Sequence, residues 1–348
     1  MTITEPSAAP LAAEPRGRGP TLAQVATLAG VSPATASRVL TGSARVSRHA
    51  RCQVEAAVER LGYVRRRSPS PGARSSSAAA VVVCDDSSRV FSDPFYARLL
   101  RGVRRELDGS GPLVILTAGH PGEWEAAADY LRGGRVGGVL LVGAHRDRPV
   151  AEMHAAAGVP MVLAGRPPDD VCLHYVDADN RGGALAAVRH LVAAGRCRIG
   201  TIAGPAGFAA GVDRLAGYRI GAREAGMDVT GLVGYGDFGR VSGELATQRL
   251  LDRRPDLDAV LAASDLMAAG ALRALRRAGR RVPDDVAVVG FGDAPVARQV
   301  RPRLTTVRQP AEDLGARLAR ELRACAGGRP PAGRGVVMET RLIIRDSA

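Results

Sequence analysis

The sequence predicts an α/β protein in two parts: a small three-helix unit at the N-terminus, then a two-lobed core of parallel sheets flanked by helices. Three observations carry this. Between residues 21 and 62 apolar residues recur at helical spacing, with capping residues where helices start. From Ala78 onward short β-branched runs alternate with longer helical stretches, the pattern of parallel strands covered on both faces. And 348 residues, 46% of them hydrophobic, exceed what one core holds.

The first helix starts at Thr21, where Thr21-Leu22-Ala23-Gln24 has the form of a capping box. Leu22, Val25 and Ala26 supply its apolar stripe, and Gly30 stops it. Ser32-Pro33 opens the second helix as N-cap and N1 proline. That helix turns Val39 and Leu40 inward and leaves small or polar residues (Ala34, Thr35, Ser37, Arg38) outward. After the turn Thr41-Gly42-Ser43, a third helix from Ser47 buries Val54, Ala57, Val58 and Leu61. Two short helices joined by a glycine-containing turn and buttressed by a third form a helix-turn-helix, whose thin-sided second helix suits a DNA major groove. The alternative is a three-helix bundle that binds no nucleic acid.

Charge favours the first reading. All 48 basic residues are arginine, and the formal net charge is +13. Residues 1–77 hold eleven arginines against four glutamates, a net of +7, leaving +6 for the other 271 residues. Such a concentration is an electrostatic footprint for a polyanion. Residues 1–20, rich in Ala and Pro, read as a disordered tail without the apolar stretch of a signal peptide. Residues 64–77 read as a linker. Its run Arg65-Arg66-Arg67 is either a solvated tether or an arm along phosphates or in a minor groove.

In the core, candidate strands are Ala79–Val83, Leu113–Thr117, Val139–Val142, Met161–Ala164, Ile199–Ile202, Ala259–Ala262 and Val286–Val289. Candidate helices are Pro94–Leu107, Glu123–Arg132, Gly182–Ala194, Asp213–Ala225, Val241–Leu251, Asp265–Ala278 and Ala311–Ala324. One lobe is expected over about 78–195 and 308–326, the other over about 196–307 and 327–348. Ligands of such sheets bind beyond the carboxyl ends of the strands, so the informative residues should lie just after each strand.

Other function classes find little support. The five cysteines are scattered and include no CxxC pair, so reduced thiols are expected, with no metal site and no cofactor. No apolar run reaches membrane-spanning length. No GxSxG, HExxH, Walker A or post-strand GxGxxG pattern is present, and no enzyme activity is expected.

The residues also carry a resemblance. Thr21 to Ala26 and Ala29 to Leu40 resemble the headpiece of the lactose-repressor (LacI/GalR) family. So do Asp179-Asn180, the run Asp213 to Tyr218, Ala263 to Gly270, Val289 to Asp293, and Leu304-Thr305-Thr306-Val307-Arg308-Gln309-Pro310. The resemblance implies a transcriptional regulator: a headpiece on double-stranded operator DNA, a core like a periplasmic sugar-binding protein, and a small effector, most often a sugar, between the lobes. It also implies a homodimer on a pseudo-palindrome, a cytoplasmic setting close to the nucleoid, and repression relieved by the effector. By position, Pro33, Ala34 and Arg38 would face bases. Thr21, Ser32, Thr35, Ser37, Thr41 and Arg45 would contact phosphates. Arg214 would grip effector oxygens and Phe238 would be an aromatic platform. Phe95, Arg166, Asp265, Asp293 and Gln309 are further effector candidates. The competing reading is a sugar-binding module whose N-terminal helices dock a protein partner.

Two departures from the family pattern stand out. The family's hinge helix inserts an apolar wedge into the minor groove, but here the corresponding positions fall on Pro69 and Gly72 with Pro71 between them. Prolines spaced this way break a helix interior, so Arg65–Arg67 are expected to supply the grip instead. Many members carry an Asp where Gly292 stands, and an Asn where Ser264 stands. Here the carboxylate comes one place later, at Asp293, which implies an effector other than the common hexoses.

Overall fold

The computed structural model describes residues 21–40, 47–61, 78–145, 150–167, 171–328 and 333–348. The expected tail, the linker with Pro69, Pro71 and Gly72, and the candidates Thr41, Arg45 and Arg65–Arg67 lie outside the described residues. The chain divides into two compact units, residues 1–73 and 74–348.

The first unit holds α1 (Leu22–Leu28), α2 (Pro33–Leu40) and α3 (Arg48–Leu61). Helices of seven and eight residues are marginal alone and need tertiary packing. Val25, Ala26, Ala29, Ala36, Val39, Val54 and Ala57 supply it as one buried cluster. The capping box closes as the sequence predicts: the Thr21 amide donates to Gln24 Oε1 at 2.7 Å, and the Gln24 amide donates to Thr21 Oγ1 at 3.3 Å.

The second unit contains two six-stranded sheets. Strands β1 (Ala79–Val83), β2 (Leu113–Thr117), β3 (Gly138–Val142), β4 (Met161–Ala164) and β5 (His174–Ala178) come first in sequence. β6 (Ile199–Ala203), β7 (Val233–Tyr235), β8 (Ala259–Ala262), β9 (Ala287–Gly292) and β10 (Thr305–Arg308) follow, then β11 (Gly335–Met338) and β12 (Arg341–Ile343). The spatial orders are β11-β5-β4-β3-β1-β2 and β12-β10-β9-β8-β6-β7. Neighbours run parallel except β12, which is antiparallel to β10. Both faces of β1 are buried, Ala80 and Val82 in one cluster and Ala79, Val81 and Val83 in another. This is why the run reads as continuously apolar rather than alternating.

The flanking helices are α4 (Ser87–Ser92), α5 (Pro94–Glu106), α6 (Pro121–Arg132), α7 (Val150–Ala157), α8 (Asn180–Ala193), α9 (Ala209–Glu224), α10 (Arg240–Arg253), α11 (Asp265–Arg277), α12 (Val296–Gln299) and α13 (Ala311–Ala326). The lobe boundary expected at 195 falls near 179 instead. Ala184, Ala187, Val188 and Leu191 of α8 pack with Ile199, Tyr218 and Val289, on the second sheet. The expected placement of 327–348 in the second lobe is also corrected, because β11 joins the first sheet and only β12 the second. α13 packs on the first sheet through Leu314, Leu318, Ala319 and Leu322. The chain thus crosses between lobes three times, near Asp179, Gln309 and Thr340. The outer crossings touch: the Asp179 amide donates to the Met338 carbonyl at 2.8 Å, and Thr340 Oγ1 to the Asp179 carbonyl at 3.1 Å.

Where α5 and α13 cross, Gly102 and Gly315 each lie against the backbone of the opposing helix, Gly102 on Glu312 and Ala316 and Gly315 on Leu99 and Val103. A Cβ on Gly102 would stand 1.8 Å from the Glu312 carbonyl oxygen, and one on Gly315 2.0 Å from that of Leu99. Gly102→Ala must push the helices apart, at about 1–3 kcal/mol of overpacking. A melting temperature lower by roughly 2–12 °C is expected by calorimetry, and an unchanged one would refute this close approach.

Candidate ligand cleft and nucleic-acid interface

The headpiece presents one polar helix face. Ser32 Oγ accepts from the Thr35 amide at 3.1 Å and lies 2.9 Å from Thr35 Oγ1, fixing the start of α2. Ser32, Pro33, Ala34 and Arg38 are exposed, and Thr35 and Ser37 half-buried. Val39, by contrast, belongs to the core. The helix therefore buries one side and offers hydroxyls at its N-terminus and a guanidinium in its last turn, as major-groove reading requires.

In the core, the loops after β1, β3, β4, β6, β7, β8 and β9 converge on one cleft of about 1020 Å³, measured out to its open mouth. Many wall residues lie just beyond strand ends, but Asp177 lies within β5, and Arg98 and Arg214 lie inside α5 and α9. Phe95, Arg166, Arg214, Phe238, Asp265 and Gln309 all line it.

Arg214, on α9, is 8% exposed. Its Nε donates to Asn180 Oδ1 at 2.9 Å, and its Nη atoms donate to the Ala263 carbonyl at 2.6 Å and to Gln309 Oε1 at 3.4 Å. Its Cζ lies 3.8 Å from the Phe291 ring centroid. Burial pulls its pKa down to about 10, against the opposing pull of Asp177, Asp93 and Asp265, so it stays cationic at neutral pH. A guanidinium has five donors. Among the described residues three are engaged and two are not.

Phe238 is held in place on several sides. Its φ of 70° is in the left-handed region, where a bulky residue costs about 1–3 kcal/mol unless its surroundings enforce it. Ser264 enforces it by donating to the Phe238 carbonyl at 2.6 Å while capping α11 through the Met267 amide. Gly204 lies beneath the ring, where a Cβ would come within 2.4 Å. Phe208 meets Phe238 edge-on at 6.2 Å. Phe95 enters at the start of α5, capped by Asp93, and meets Tyr96 edge-on at 5.4 Å. Burial raises the pKa of Asp93 and of Asp177, the latter also pressed by Asp213. Arg166 bridges the two lobes, donating its amide to Asp177 at 3.1 Å and pairing with Asp213 at 3.2 Å.

One expectation needs correction. Asp293 does not line the cleft. Its φ of 48° sends the carboxylate away into an ion cluster with Arg345 at 2.5 Å, Arg308 at 2.8 Å and Arg298 at 3.3 Å. These arginines overcome the effect of its burial and hold its pKa below the usual value. Asp265 lines the cleft, directly after Ser264, the cap of α11. Its oxygens accept from Thr306 Oγ1 at 2.5 Å and the Ala294 amide at 2.6 Å, so it braces the loop after β9. Burial pushes its pKa up to about 6.

The wall residues that the sequence candidates lack include Arg89, Asp177, Phe208 and Phe291. Phe208 follows β6, and Phe291 lies in β9 just past Val289, where the candidate strand ends, so the post-strand rule could have found both. Asp177 lies in β5, a strand that was not predicted. Among the described residues no cluster could hold a metal ion, and no helix is long and apolar enough to cross a membrane.

Comparison with known proteins agrees with this geometry. Residues 21–66 match the model for bacterial regulatory proteins of the lacI family, and residues 188–348 that for a periplasmic binding protein-like domain. The transcriptional regulator CelR of Thermobifida fusca is 46% identical over 338 residues, 95% of this chain and 99% of its own. The repressor CytR of Escherichia coli strain K12 is 32% identical over 94% of this chain and 96% of its own. A structure of a CelR–cellobiose complex aligns with a TM-score of 0.77 at 45% identity, over 94% of this chain and 100% of that one. A lac repressor dimer bound to operator and the anti-inducer ONPF aligns at 0.71 and 26%, over 95% and 99%. The docking-module alternative gives way to this likeness, which spans both units and runs nearly end to end. The chain belongs to the lacI family of bacterial regulatory proteins and is a DNA-binding transcriptional regulator.

Proposed function

We propose that this regulator is a repressor that holds a pseudo-palindromic operator as a homodimer and leaves it when a neutral disaccharide of the cellobiose type enters the cleft. One observation carries the reading: the cleft combines a buried arginine with donors to spare and a fixed aromatic ring. A sugar offers hydroxyls to the first and a C–H face to the second. The 45% identity to a regulator crystallised with cellobiose supports the choice of sugar. Dimer symmetry matches two headpieces to two half-sites.

Operator and effector are coupled by linkage, each weakening the other by about 1–3 kcal/mol. Operator DNA selected from a randomised pool and followed by fluorescence anisotropy tests this. Saturating cellobiose is expected to weaken binding roughly 5- to 150-fold, with glucose and maltose far less effective. If cellobiose produces neither heat on titration nor DNA release, the effector assignment is wrong. Tighter DNA binding with cellobiose would make the sugar a corepressor.

A further inference from the structure

The ring proposed to receive the sugar is already covered. Phe238 is 6% exposed. The Arg89 guanidinium lies 4.9 Å from its centroid and 5.7 Å from that of Phe208. Arg89 belongs to α4, over the first sheet, whereas Phe238 and Phe208 follow β7 and β6 of the second. The contact therefore spans the cleft and ties one lobe to the other. On its own side Arg89 is anchored by Asp85, with Nε 3.4 Å from Oδ2, and Asp85 is in turn held by the Tyr96 hydroxyl. The Arg89 Nε is buried and makes no hydrogen bond, so in this position the guanidinium is held by charge and by the ring faces. Its side chain is 20% exposed. The guanidinium thus sits at the cleft wall beside the aromatic ring, which lines the same cleft.

We infer that Arg89 is a resident competitor for the aromatic platform: its guanidinium holds the Phe238 ring, and the effector must displace it to stack there. This rests on the reading of Phe238 as the effector's platform. A cation over an aromatic face is attractive, the more so when partly desolvated as here. Every ligand that uses Phe238 therefore binds with its intrinsic affinity reduced by the fraction of molecules in which Arg89 holds the ring. A ligand that leaves Phe238 alone meets no such penalty. Arg89 thereby sets the effector concentration at which the regulator responds, and it selects against ligands too weakly stacking to replace it. Asp85 stays behind as the anchor to which the displaced guanidinium remains paired.

Calorimetric titration of cellobiose into the full-length protein and its variants tests this. Arg89→Ala is expected to tighten cellobiose binding about 2- to 30-fold, the span of a cation–π contact, and to lower the melting temperature of the ligand-free protein. In a Phe238→Ala background, Arg89→Ala is expected to tighten cellobiose binding far less than in the wild type, because the nearer of its two rings, the one the effector stacks on, is gone. Arg89→Met, which keeps most of the side-chain volume, should tighten binding as well and serves if the alanine variant folds poorly. Weaker binding by both Arg89 variants would make Arg89 a direct ligand contact and overturn the inference, as would affinity equal to the wild type. Wild-type affinity in Phe238→Ala alone would overturn the platform itself. A wild-type protein that ignores cellobiose would refute the effector assignment, and the competitor role with it.

Discussion

Replacing Arg214 with alanine is expected to abolish the response to effector and to lower the stability of the core by about 3–5 kcal/mol, the cost of breaking a buried charge network by removing one partner. The side chain lies between the Phe291 and Phe238 rings and supplies donors to Asn180, Ala263 and Gln309, two of which mark crossings between the lobes. Without it these acceptors lose their donor, and the desolvated carboxylates of Asp177 and Asp93 lose an attracting buried positive charge. A melting temperature lower by on the order of 10 °C follows from a loss of that size. The headpiece is a separate compact unit with its own core. Operator binding at low temperature should therefore survive in Arg214→Ala while cellobiose no longer releases it.

Two roles are mixed in that variant, and Arg214→Lys separates them. Lysine keeps the charge but has one ammonium with three donors in place of a planar fork. It cannot stack on Phe291 while reaching three acceptors in different directions. Part of the lost melting temperature should return, and the effector response should not. If Arg214→Lys regains both, the residue acts as a charge alone. If Arg214→Ala still releases DNA with cellobiose, Arg214 does not grip the effector, and its place in the cleft is purely structural.

Much of this was legible in the sequence because the signals are local. Thr21 and Gln24 are three residues apart, and their reciprocal hydrogen bonds depend on nothing else in the chain. Apolar runs such as Ala79–Val83 declare a strand buried on both faces before any partner is known. The lobe boundary was less accessible. The helix starting at Asn180 is equally apolar whichever sheet it covers, and only the contacts of Ala187 and Val188 with the second sheet decide. Short strands such as Val233–Tyr235 and Arg341–Ile343 carry too few residues for a periodic signal. Asp293 was misplaced because one residue of offset reverses the side on which a carboxylate emerges, and the left-handed φ at that residue leaves no trace in the spacing. Arg89 is one arginine among 48, and its importance comes from the two phenylalanines that the fold brings to it from more than a hundred residues away.

Arg38 is expected to dominate base recognition by the headpiece. It is exposed in the last turn of α2, on the helix whose opposite side is buried through Ala36 and Val39. Pro33 and Ala34, also exposed, have no side-chain donors and suit thymine methyl groups, so a guanine edge falls to Arg38. Arg38→Ala should cost about 1–3 kcal/mol at each half-site and relax discrimination at one base pair. In the proposed dimer the loss is taken twice. The salt dependence separates base reading from phosphate gripping. An arginine on a phosphate releases a counterion on binding, and its removal lowers the slope of log affinity against log salt by about 1 per copy. An arginine on a guanine edge leaves that slope nearly unchanged while it changes sequence preference. Binding measured from about 50 to 200 mM salt, on the selected operator and on its single-base variants, gives both quantities together. A reduced slope with an unaltered base preference would move Arg38 to the phosphate backbone and leave base recognition to the apolar residues at the start of the helix.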